Sequence, residues 1–411
     1  MIVVFTRAKK DAKALKHALK TEVQSLKGVR HLDSFDLKAI ENKIPFFILG
    51  KEDESLREDL LKALSEFKGL FKILIVNKRS VRNARLSELI SAFEQAKAEL
   101  RLGLTFKNDT YLFSGTPGLF KEVKPDYDAY FLLGEDFVKN TKEVFGVELK
   151  EGVVLLRKHY NLEEVYVPEL KAILSKKLGE SPKVTWLNEN ISCKNISLSK
   201  VLEKNKEVVR FFERVGIEFL KESLRGKRDV VVPFSGGKDS TAVLALCVRA
   251  GLKVRAVYVK TNYELPFTEE YVERICNSLG VDLQKVEVNL DVNIHGMPSF
   301  ENRWCTAQKL EALKLAAGNS VLIAGDREAE SRSRRKRKEV TKRVSKELYP
   351  IKYWSAFLVQ LYLICRDIPL HPLYYHGFYR LGCSICPSMG DWERYLLKKV
   401  EKFFRNPLTL N

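Results

Sequence analysis

Short apolar runs alternate with amphipathic stretches along the chain, and this pattern predicts alternating strands and helices. Near the amino terminus, strand-like runs at 2–5, 45–50 and 71–76 are separated by helical patterns at 8–27 and 53–67. This order is typical of a small α/β domain.

The middle of the chain has a different spacing of apolar runs. Short apolar runs lie near 110–113, 128–133 and 152–156, with turn residues such as those at 114–118 between them. The pattern predicts a second small module, for which substrate presentation is the role we expect.

A long amphipathic helix over about 198–225 leads into the last segment. Four strand candidates follow it, at 229–234, 254–259, 282–288 and 320–324. We expect a parallel sheet with helices on both faces, and ligands at the carboxyl ends of its strands. The predicted division of the chain is 1–100, 101–197 and 198–411.

The strand at 229–234 runs through a glycine turn directly into an apolar helix, and residues 235–241 read SGGKDST. Adjacent glycines let the backbone approach a ligand, and the free N–H groups of a helix start attract a phosphate. A Walker loop would need glycine where Val232 stands, so the spacing excludes that class. A structural glycine turn before a core helix is the alternative.

This stretch resembles the PP-loop of the ATP pyrophosphatases and of the related adenylylsulfate and phosphoadenylylsulfate (PAPS) reductases. The resemblance continues in the family's order through about residue 395. Its further motifs are Thr261 with Pro266 and Thr268, Arg303-x-Cys305, Gly325-x-Arg327-x-x-Glu330-Ser331-x-x-Arg334, and Gly377-Phe378-x-Arg380-x-Gly382-Cys383-x-x-Cys386-Pro387. The resemblance implies the adenine-nucleotide α-hydrolase-like fold and binding of ATP with Mg²⁺.

Position within these motifs assigns a role to each candidate residue. We expect the pyrophosphate to be bound by Ser235, Gly236, Gly237, Ser240 and Thr241, with Gly325 and Arg334 completing the nucleotide site. We expect Lys238 to counter the phosphate charge, Asp239 to cap the helix or hold Mg²⁺, and Arg327 to stabilise the phosphates or an adenylate.

Cysteine usage separates the branches of this superfamily. Cys383 and Cys386 present two thiols from one tight turn, a geometry that both zinc and iron–sulfur sites use. The position of Cys305 resembles a cluster cysteine of the adenylylsulfate reductases and of nucleic-acid sulfurtransferases. The resemblance therefore implies a [4Fe–4S] cluster held by three cysteines. A structural zinc and a metal-free thiol pair are the alternatives.

The resembling reductases carry their nucleophilic cysteine in a C-terminal tail, and no cysteine follows Cys386 in this sequence. We therefore expect an ATP-dependent sulfurtransferase that cleaves ATP between its α and β phosphates. Two alternatives are a sulfonucleotide reductase that uses an external thiol and a binding protein that recognises RNA without catalysis.

Charge points to the substrate class. The 71 Lys and Arg residues against 53 Asp and Glu give a formal charge of +18, and the densest basic run is 331–346. Such a run is suited to nucleic-acid phosphates, tRNA above all, although a solvated helix face and a basic loop over the active site are alternatives. We expect a sulfur-donor protein or free sulfide as further partner, no membrane, a cytoplasmic location and a possible homodimer.

Overall fold

The computed structural model describes residues 1–405 except 20, 30, 33, 159–163, 178–179, 188–195, 226–228 and 343–344. In the described part of the chain, no helix is both long enough and apolar enough to cross a membrane.

The first segment is built on a four-stranded parallel sheet in the order β2-β1-β3-β4. Its strands are β1 (Ile2–Thr6), β2 (Glu22–Ser25), β3 (Ile44–Leu49) and β4 (Lys72–Ile75), and its helices are α1 (Lys9–Leu19), α2 (Glu54–Ala63) and α3 (Leu86–Arg101). The strands predicted at 2–5, 45–50 and 71–76 are confirmed. The helix predicted over 8–27 is too long, because residues 22–25 pair beside β1 as a polar edge strand.

The middle segment is antiparallel. Its hairpin pairs β5 (Leu104–Lys107) with β6 (Thr110–Phe113), and its five-stranded sheet has the order β11-β10-β9-β8-β7. The strands of that sheet are β7 (Tyr127–Phe131), β8 (Val154–Lys158), β9 (Glu164–Val167), β10 (Ala172–Ser175) and β11 (Lys183–Trp186), with α4 (Glu135–Phe145) between β7 and β8. The apolar runs near 110, 128 and 152 thus form β6, β7 and β8.

The last segment opens with α5 (Leu198–Ser223) and contains a six-stranded sheet in the order β14-β13-β12-β15-β17-β16. The strands are β12 (Val230–Pro233), β13 (Arg255–Thr261), β14 (Asp282–Val288), β15 (Val321–Ile323), β16 (Val340–Lys342) and β17 (Lys346–Leu348). All neighbours are parallel except β16 and β17. The remaining helices are α6 (Lys238–Arg249), α7 (Thr268–Leu279), α8 (Val292–His295), α9 (Trp304–Ala317), α10 (Arg332–Lys336), α11 (Ala356–Ile364), α12 (Pro372–Tyr375) and α13 (Asp391–Arg405).

Alternate residues of β12 pack on opposite faces of this sheet, as strand geometry requires. Val230 and Val232 belong to the largest apolar cluster, which also includes residues of α5, α6 and α11, whereas Val231 packs in a second cluster with Leu313 and Ala317 of α9. Helices therefore cover both faces, and the predicted parallel α/β sheet is confirmed.

The three segments share one apolar core. Its largest cluster contains Val4 of β1, Phe131 of β7 and Val232 of β12, all nearly inaccessible to solvent. Burial of this continuous apolar surface fixes the three sheets against one another.

Candidate active site

A cavity of about 420 Å³ opens where the β12, β13 and β15 strands end. This is the carboxyl edge at which parallel α/β sheets bind their ligands. Nine of the residues that the sequence predicted for the site line it: Ser235, Gly237, Asp239, Ser240, Cys305, Gly325, Arg334, Cys383 and Cys386. The cavity therefore joins the predicted phosphate end to the predicted thiol end.

The phosphate loop occupies residues 234–237, between the end of β12 and the start of α6. Gly236 has φ +70°, and a Cβ there would lie 3.2 Å from the Val272 side chain, so the turn favours glycine on two grounds. The Ser240 hydroxyl donates to the Gly237 carbonyl at 2.9 Å. Ser235, Gly237 and Ser240 thus lie at the start of α6, where N–H groups can bind an anion.

Asp239 is held between two cations. Its Oδ1 accepts from Arg327 Nε at 2.6 Å, and its Oδ2 accepts from Lys238 Nζ at 2.8 Å. The N-cap residue of α6 is Gly237, which has no side chain, and both hydrogen bonds to the Asp239 carboxylate come from the two cations. Each carboxylate oxygen keeps a second lone pair, which is the donor that Mg²⁺ would use.

Lys238 lies behind the loop rather than in the cavity, where a mobile phosphate-binding cation was expected. Its Nζ is 5.5 Å from the ring centroids of both Tyr130 and Tyr374, and the residue is 2% exposed. The Tyr374 hydroxyl also accepts from the Lys238 backbone N–H at 3.0 Å. Burial lowers the pKa of Lys238, an effect that Asp239 opposes.

Arg327 is also outside the cavity lining, and its partner is a residue that the sequence analysis missed. Arg327 Nη1 donates to Asp128 Oδ2 at 2.6 Å, and both side chains are almost completely buried. Although burial opposes it, the Asp128 and Asp239 carboxylates raise the pKa of Arg327. The Nε and Nη1 donors of Arg327 are used by these two carboxylates. The signal in the sequence is a single carboxylate within the apolar strand Tyr-Asp-Ala-Tyr-Phe, which needs a buried partner.

The opposite wall of the phosphate end comes from β15 and α10. A Cβ on Gly325 would lie 2.8 Å from the backbone carbon of Asp239, so glycine lets the two segments meet. Arg334 lines the cavity but is paired with Asp326 at 3.2 Å and with Glu330. Burial alone would raise the pKa of Glu330, but the neighbouring Arg334 and Arg327 hold it below its usual value. Thr241 is buried, and its hydroxyl donates to the Gly237 carbonyl at 3.0 Å.

The thiol end is formed by α9 and the turn at 383–386. The Cys386 N–H donates to the Cys383 carbonyl at 2.9 Å, which closes the turn. Lys309, one turn after Cys305 on α9, places its Nζ 3.2 Å from Cys383 Sγ. Despite burial, the neighbouring Cys383 and Glu264 raise the pKa of Lys309.

The three thiols line one cavity, but the predicted metal site is not assembled. Among the described residues there is no group of three or more His, Cys, Asp or Glu side chains arranged to hold a metal ion. The ammonium of Lys309 lies against Cys383, on a thiol that a metal ion would otherwise use.

Comparison with known proteins matches the part of the chain that holds this site. Residues 229–389 match the family model of the phosphoadenosine phosphosulfate reductase domain. An uncharacterised protein of Methanocaldococcus jannaschii is 31% identical over 214 residues, which are 48% of this chain and 45% of the relative. The chain thus spans about half the length of the curated relatives that head the comparison.

Two enzymes are more distant relatives. The phosphoadenosine 5'-phosphosulfate reductase of Alkalilimnicola ehrlichii is 25% identical over 37% of this chain and 68% of its own length. The adenosine 5'-phosphosulfate reductase of Deinococcus radiodurans is 23% identical over 41% of this chain and 70% of its own.

Among solved structures, the phosphate complex of the PAPS reductase from Candida auris is 16% identical and covers 46% of this chain and 98% of its own, with a TM-score of 0.34. A TM-score of this size carries no argument about function. The family match and the enzyme relatives agree with the loop and cavity found at residues 229–389. The chain therefore contains a phosphoadenosine phosphosulfate reductase domain and is homologous to PAPS and adenylylsulfate reductases.

Proposed function

We propose that the chain is an ATP-dependent sulfurtransferase acting on nucleic acid, tRNA being the first candidate. The observation that carries the proposal is the shared cavity, in which Gly237 and Ser240 of the phosphate loop and the Cys383 thiol line the same walls. A reaction that activates an oxygen with a nucleotide and then replaces it with sulfur needs both groups in one place.

The proposed chemistry proceeds by successive displacements. An amide oxygen of the acceptor base attacks the α phosphate of ATP, so that a P–O bond forms, the α–β bridge breaks and pyrophosphate leaves. The outer sulfur of a persulfide on Cys383, which a sulfane-sulfur donor supplies by exchange, then attacks the activated carbon, so that a C–S bond forms, the C–O bond breaks and AMP leaves. The Cys386 thiol next attacks Cys383 Sγ, which breaks the S–S bond, releases the thiolated base and leaves a Cys383–Cys386 disulfide for an external thiol to reduce. Cys383 is the residue proposed to carry the incoming sulfur, because its Sγ lies in the cavity 3.2 Å from Lys309 Nζ.

Nucleic acid as the acceptor is supported by the basic run. Arg334 and Arg337 of this run are paired internally with Asp326 and are not available to an external phosphate. Lys336, Lys338 and Lys342 are exposed. Residues 343 and 344 of the run lie outside the described residues.

Aromatic side chains just before Cys305 in the sequence support the same acceptor. Phe300 is 64% exposed, and the His295 and Trp304 rings lie tilted against each other with centroids 4.6 Å apart. Trp304 is the first residue of α9, the helix whose Cys305 and Lys309 line the cavity. Exposed aromatic rings beside cations are suited to an unpaired base.

Sulfonucleotide reduction is the second candidate, and the named relatives favour it. In that reaction the Cys383 thiolate would attack the sulfur of adenylylsulfate or PAPS and release AMP or its 3'-phosphate. A second thiol, from Cys386 or an external thiol protein, would then release sulfite and leave a disulfide. The same cavity would hold both reactants.

One anaerobic experiment separates the two candidates. The chain is incubated with ATP, polysulfide as sulfane-sulfur donor, a reduced thiol and tRNA, and in parallel with adenylylsulfate or PAPS and a reduced thiol protein. AMP, pyrophosphate and thiolated RNA in the first mixture support the proposal, and sulfite in the second alone supports the reductase. RNA binding without either product would indicate the non-catalytic alternative.

The predicted cofactor has its own measurement. Iron, zinc and acid-labile sulfide are determined on anaerobically purified wild-type chain and on Cys383→Ser. About four irons and four sulfides, lost in the variant, would establish the predicted [4Fe–4S] cluster. One zinc would establish the alternative metal. If the chain contains neither iron nor zinc, the thiol next to Lys309 remains the proposed reacting group.

A further inference from the structure

Two residues from outside the family domain lie directly behind the phosphate loop. Asp128 and Tyr130 are two positions apart in β7, so their side chains lie on the same face of the strand. Asp128 Oδ2 is 2.6 Å from Arg327 Nη1, and the ring of Tyr130 lies 5.5 Å from Lys238 Nζ. Both cations that contact Asp239 are therefore held by one strand of the middle segment.

Asp128 has no freedom in this arrangement. Its second oxygen, Oδ1, accepts from the Ala356 backbone N–H at 2.9 Å, at the first residue of α11. The side chain is completely buried, and α11 packs against both β7 and α6. Asp128 thus fixes Arg327 relative to two elements that themselves support the nucleotide helix.

Arg327 connects Asp128 to Asp239, which lines the cavity. Its Nε contacts Asp239 Oδ1 at 2.6 Å, and its Nη1 also donates to the Trp354 carbonyl at 3.3 Å. Asp239 lines the cavity in the first turn of α6, beside Ser240. A guanidinium group is planar and rigid, so a carboxylate on one edge sets the direction of the other.

We propose that Asp128 is a positioning residue of the nucleotide site, which acts through Arg327 on Asp239 and so sets the geometry of the phosphate-binding turn. The inference rests on the proposed nucleotide-dependent function. It extends the site beyond residues 229–389 and makes β7 part of it.

A neighbouring ion pair provides the matched control. Glu328, the next residue after Arg327, is paired with Lys97 at 2.9 Å and with Arg101 at 2.6 Å, both from α3. These side chains are as buried as the Asp128 pair. Lys97→Met therefore removes a buried charge next to Arg327 without touching Asp239 or the cavity.

The test measures equilibrium binding of Mg-ATP and of adenylylsulfate to the full chain, together with the melting temperature. Asp128→Asn keeps the acceptor for Ala356 and removes the negative charge that faces Arg327. We expect the dissociation constant to rise about tenfold, as for other groups coupled through one ion-pair network. Lys97→Met is expected to lower the melting temperature and leave the dissociation constant unchanged.

A double-mutant cycle distinguishes positioning from general destabilisation. If Asp128 acts through Arg327, adding Asp128→Asn to Arg327→Gln will not weaken binding further. The inference would be overturned if Asp128→Asn had the wild-type dissociation constant. It would also be overturned if Asp128→Asn weakened binding equally in the wild-type and Arg327→Gln proteins. Should Asp128→Asn fail to fold, Arg327→Lys keeps the charge but cannot bridge both carboxylates, and wild-type binding by that variant would overturn it equally.

The same measurements keep this inference apart from the proposed function. Coupled nucleotide binding without AMP or sulfite production would support the role of Asp128 and contradict the proposed sulfur chemistry. If Asp128→Asn binds nucleotide as wild type does and still forms AMP and thiolated RNA, the proposed sulfur chemistry is supported and the role of Asp128 is contradicted.

Discussion

In the described part of the chain, the first sheet is parallel and the last is parallel except for its edge strand β16, and the loops at their carboxyl edges differ. After β1, Arg7 in the turn before α1 is ion-paired with Asp53 at 2.6 Å and with Glu52 at 2.9 Å, and this closes the edge. After β12, the turn before α6 has two glycines and lines a cavity of about 420 Å³.

The comparison teaches that a parallel sheet alone does not specify a site. Both sheets bury apolar strands and carry a helix after the first central strand. Function depends on the loop residues that the sheet presents, a general property of widely used folds. In this chain, Gly236 lets the loop turn at a positive φ beside Val272, and Gly325 lets its segment approach the backbone of Asp239.

The largest expected effect comes from removing the Cys383 thiol at the edge of the last sheet. Cys383→Ser is expected to reduce sulfur transfer at least about a thousandfold, because a hydroxyl at this position cannot carry sulfur or act as a thiolate. Nucleotide binding should remain, since the phosphate loop is untouched. Product formation and nucleotide binding are measured on the same preparation.

The matched control is Cys365→Ser, at a half-buried cysteine outside the cavity lining. We expect it to retain activity. Wild-type turnover by Cys383→Ser would remove Cys383 from the mechanism.

Two glycine substitutions, one at each sheet edge, test whether only the edge of the last sheet supports nucleotide binding. A Cβ on Gly325, after β15, would lie 2.8 Å from backbone, and one on Gly50, after β3, would lie 2.4 Å from the Arg79 carbonyl oxygen. Both Gly→Ala changes should cost about 1–3 kcal/mol of stability through overpacking. Only Gly325→Ala should weaken nucleotide binding, by about a hundredfold, because it displaces Asp239 and Ser240.

Urea unfolding and equilibrium nucleotide binding check this pair. Equal losses of nucleotide affinity in both variants would show that the effect is general destabilisation and not displacement of the loop.

The basic run should contribute a smaller and salt-dependent effect. Replacing Lys336, Lys338 and Lys342 by Gln is expected to weaken tRNA binding about tenfold at low salt and to reduce the salt slope by roughly two to three. Turnover at saturating tRNA should not change. A matched triple change of Lys13, Lys16 and Lys62, in the helices of the first segment, should leave both quantities unchanged.

The smallest expected effect is a pH dependence of stability at Lys352. Burial lowers the pKa of Lys352 to about 8, an effect that Glu328 opposes, and its Nζ donates to the Arg334 carbonyl at 3.1 Å. The unfolded chain therefore holds more protons than the folded chain between about pH 8 and about 10.5, so stability rises with pH in that window.

Unfolding free energies of wild type and Lys352→Met between pH 7.5 and 10 isolate this contribution. The difference between them should change by no more than about 3 kcal/mol, the limit set by the shift in pKa. A difference that is constant with pH would contradict a lowered pKa.

The sequence predicted four of the six strands of the last sheet, and three of them, β12, β13 and β15, contain a compact apolar run. The short strands β16 and β17 were not predicted. Residues 282–288 form β14 as predicted, and the loop at 235–241 lies where the glycines indicated. The motif also predicted which cysteines share a cavity with the loop. Local pattern and chemistry agree in these places.

Long-range partners could not be predicted. The contact between Asp128 and Arg327 joins residues 199 positions apart, and nothing local links them. Lys238 was placed among the phosphates because its motif position suggests a cation there, whereas Tyr130 and Tyr374 draw it behind the loop. The contact between Lys309 and Cys383 is a further long-range partner that the sequence spacing does not show.

The most direct test of the account is a single-turnover anaerobic reaction with α-labelled ATP, polysulfide as sulfane-sulfur donor and tRNA, in wild type and Cys383→Ser. The account predicts AMP and pyrophosphate with thiolated RNA from wild type, and no thiolated RNA from the variant. Cleavage to ADP and phosphate, or equal thiolation by both proteins, would contradict it.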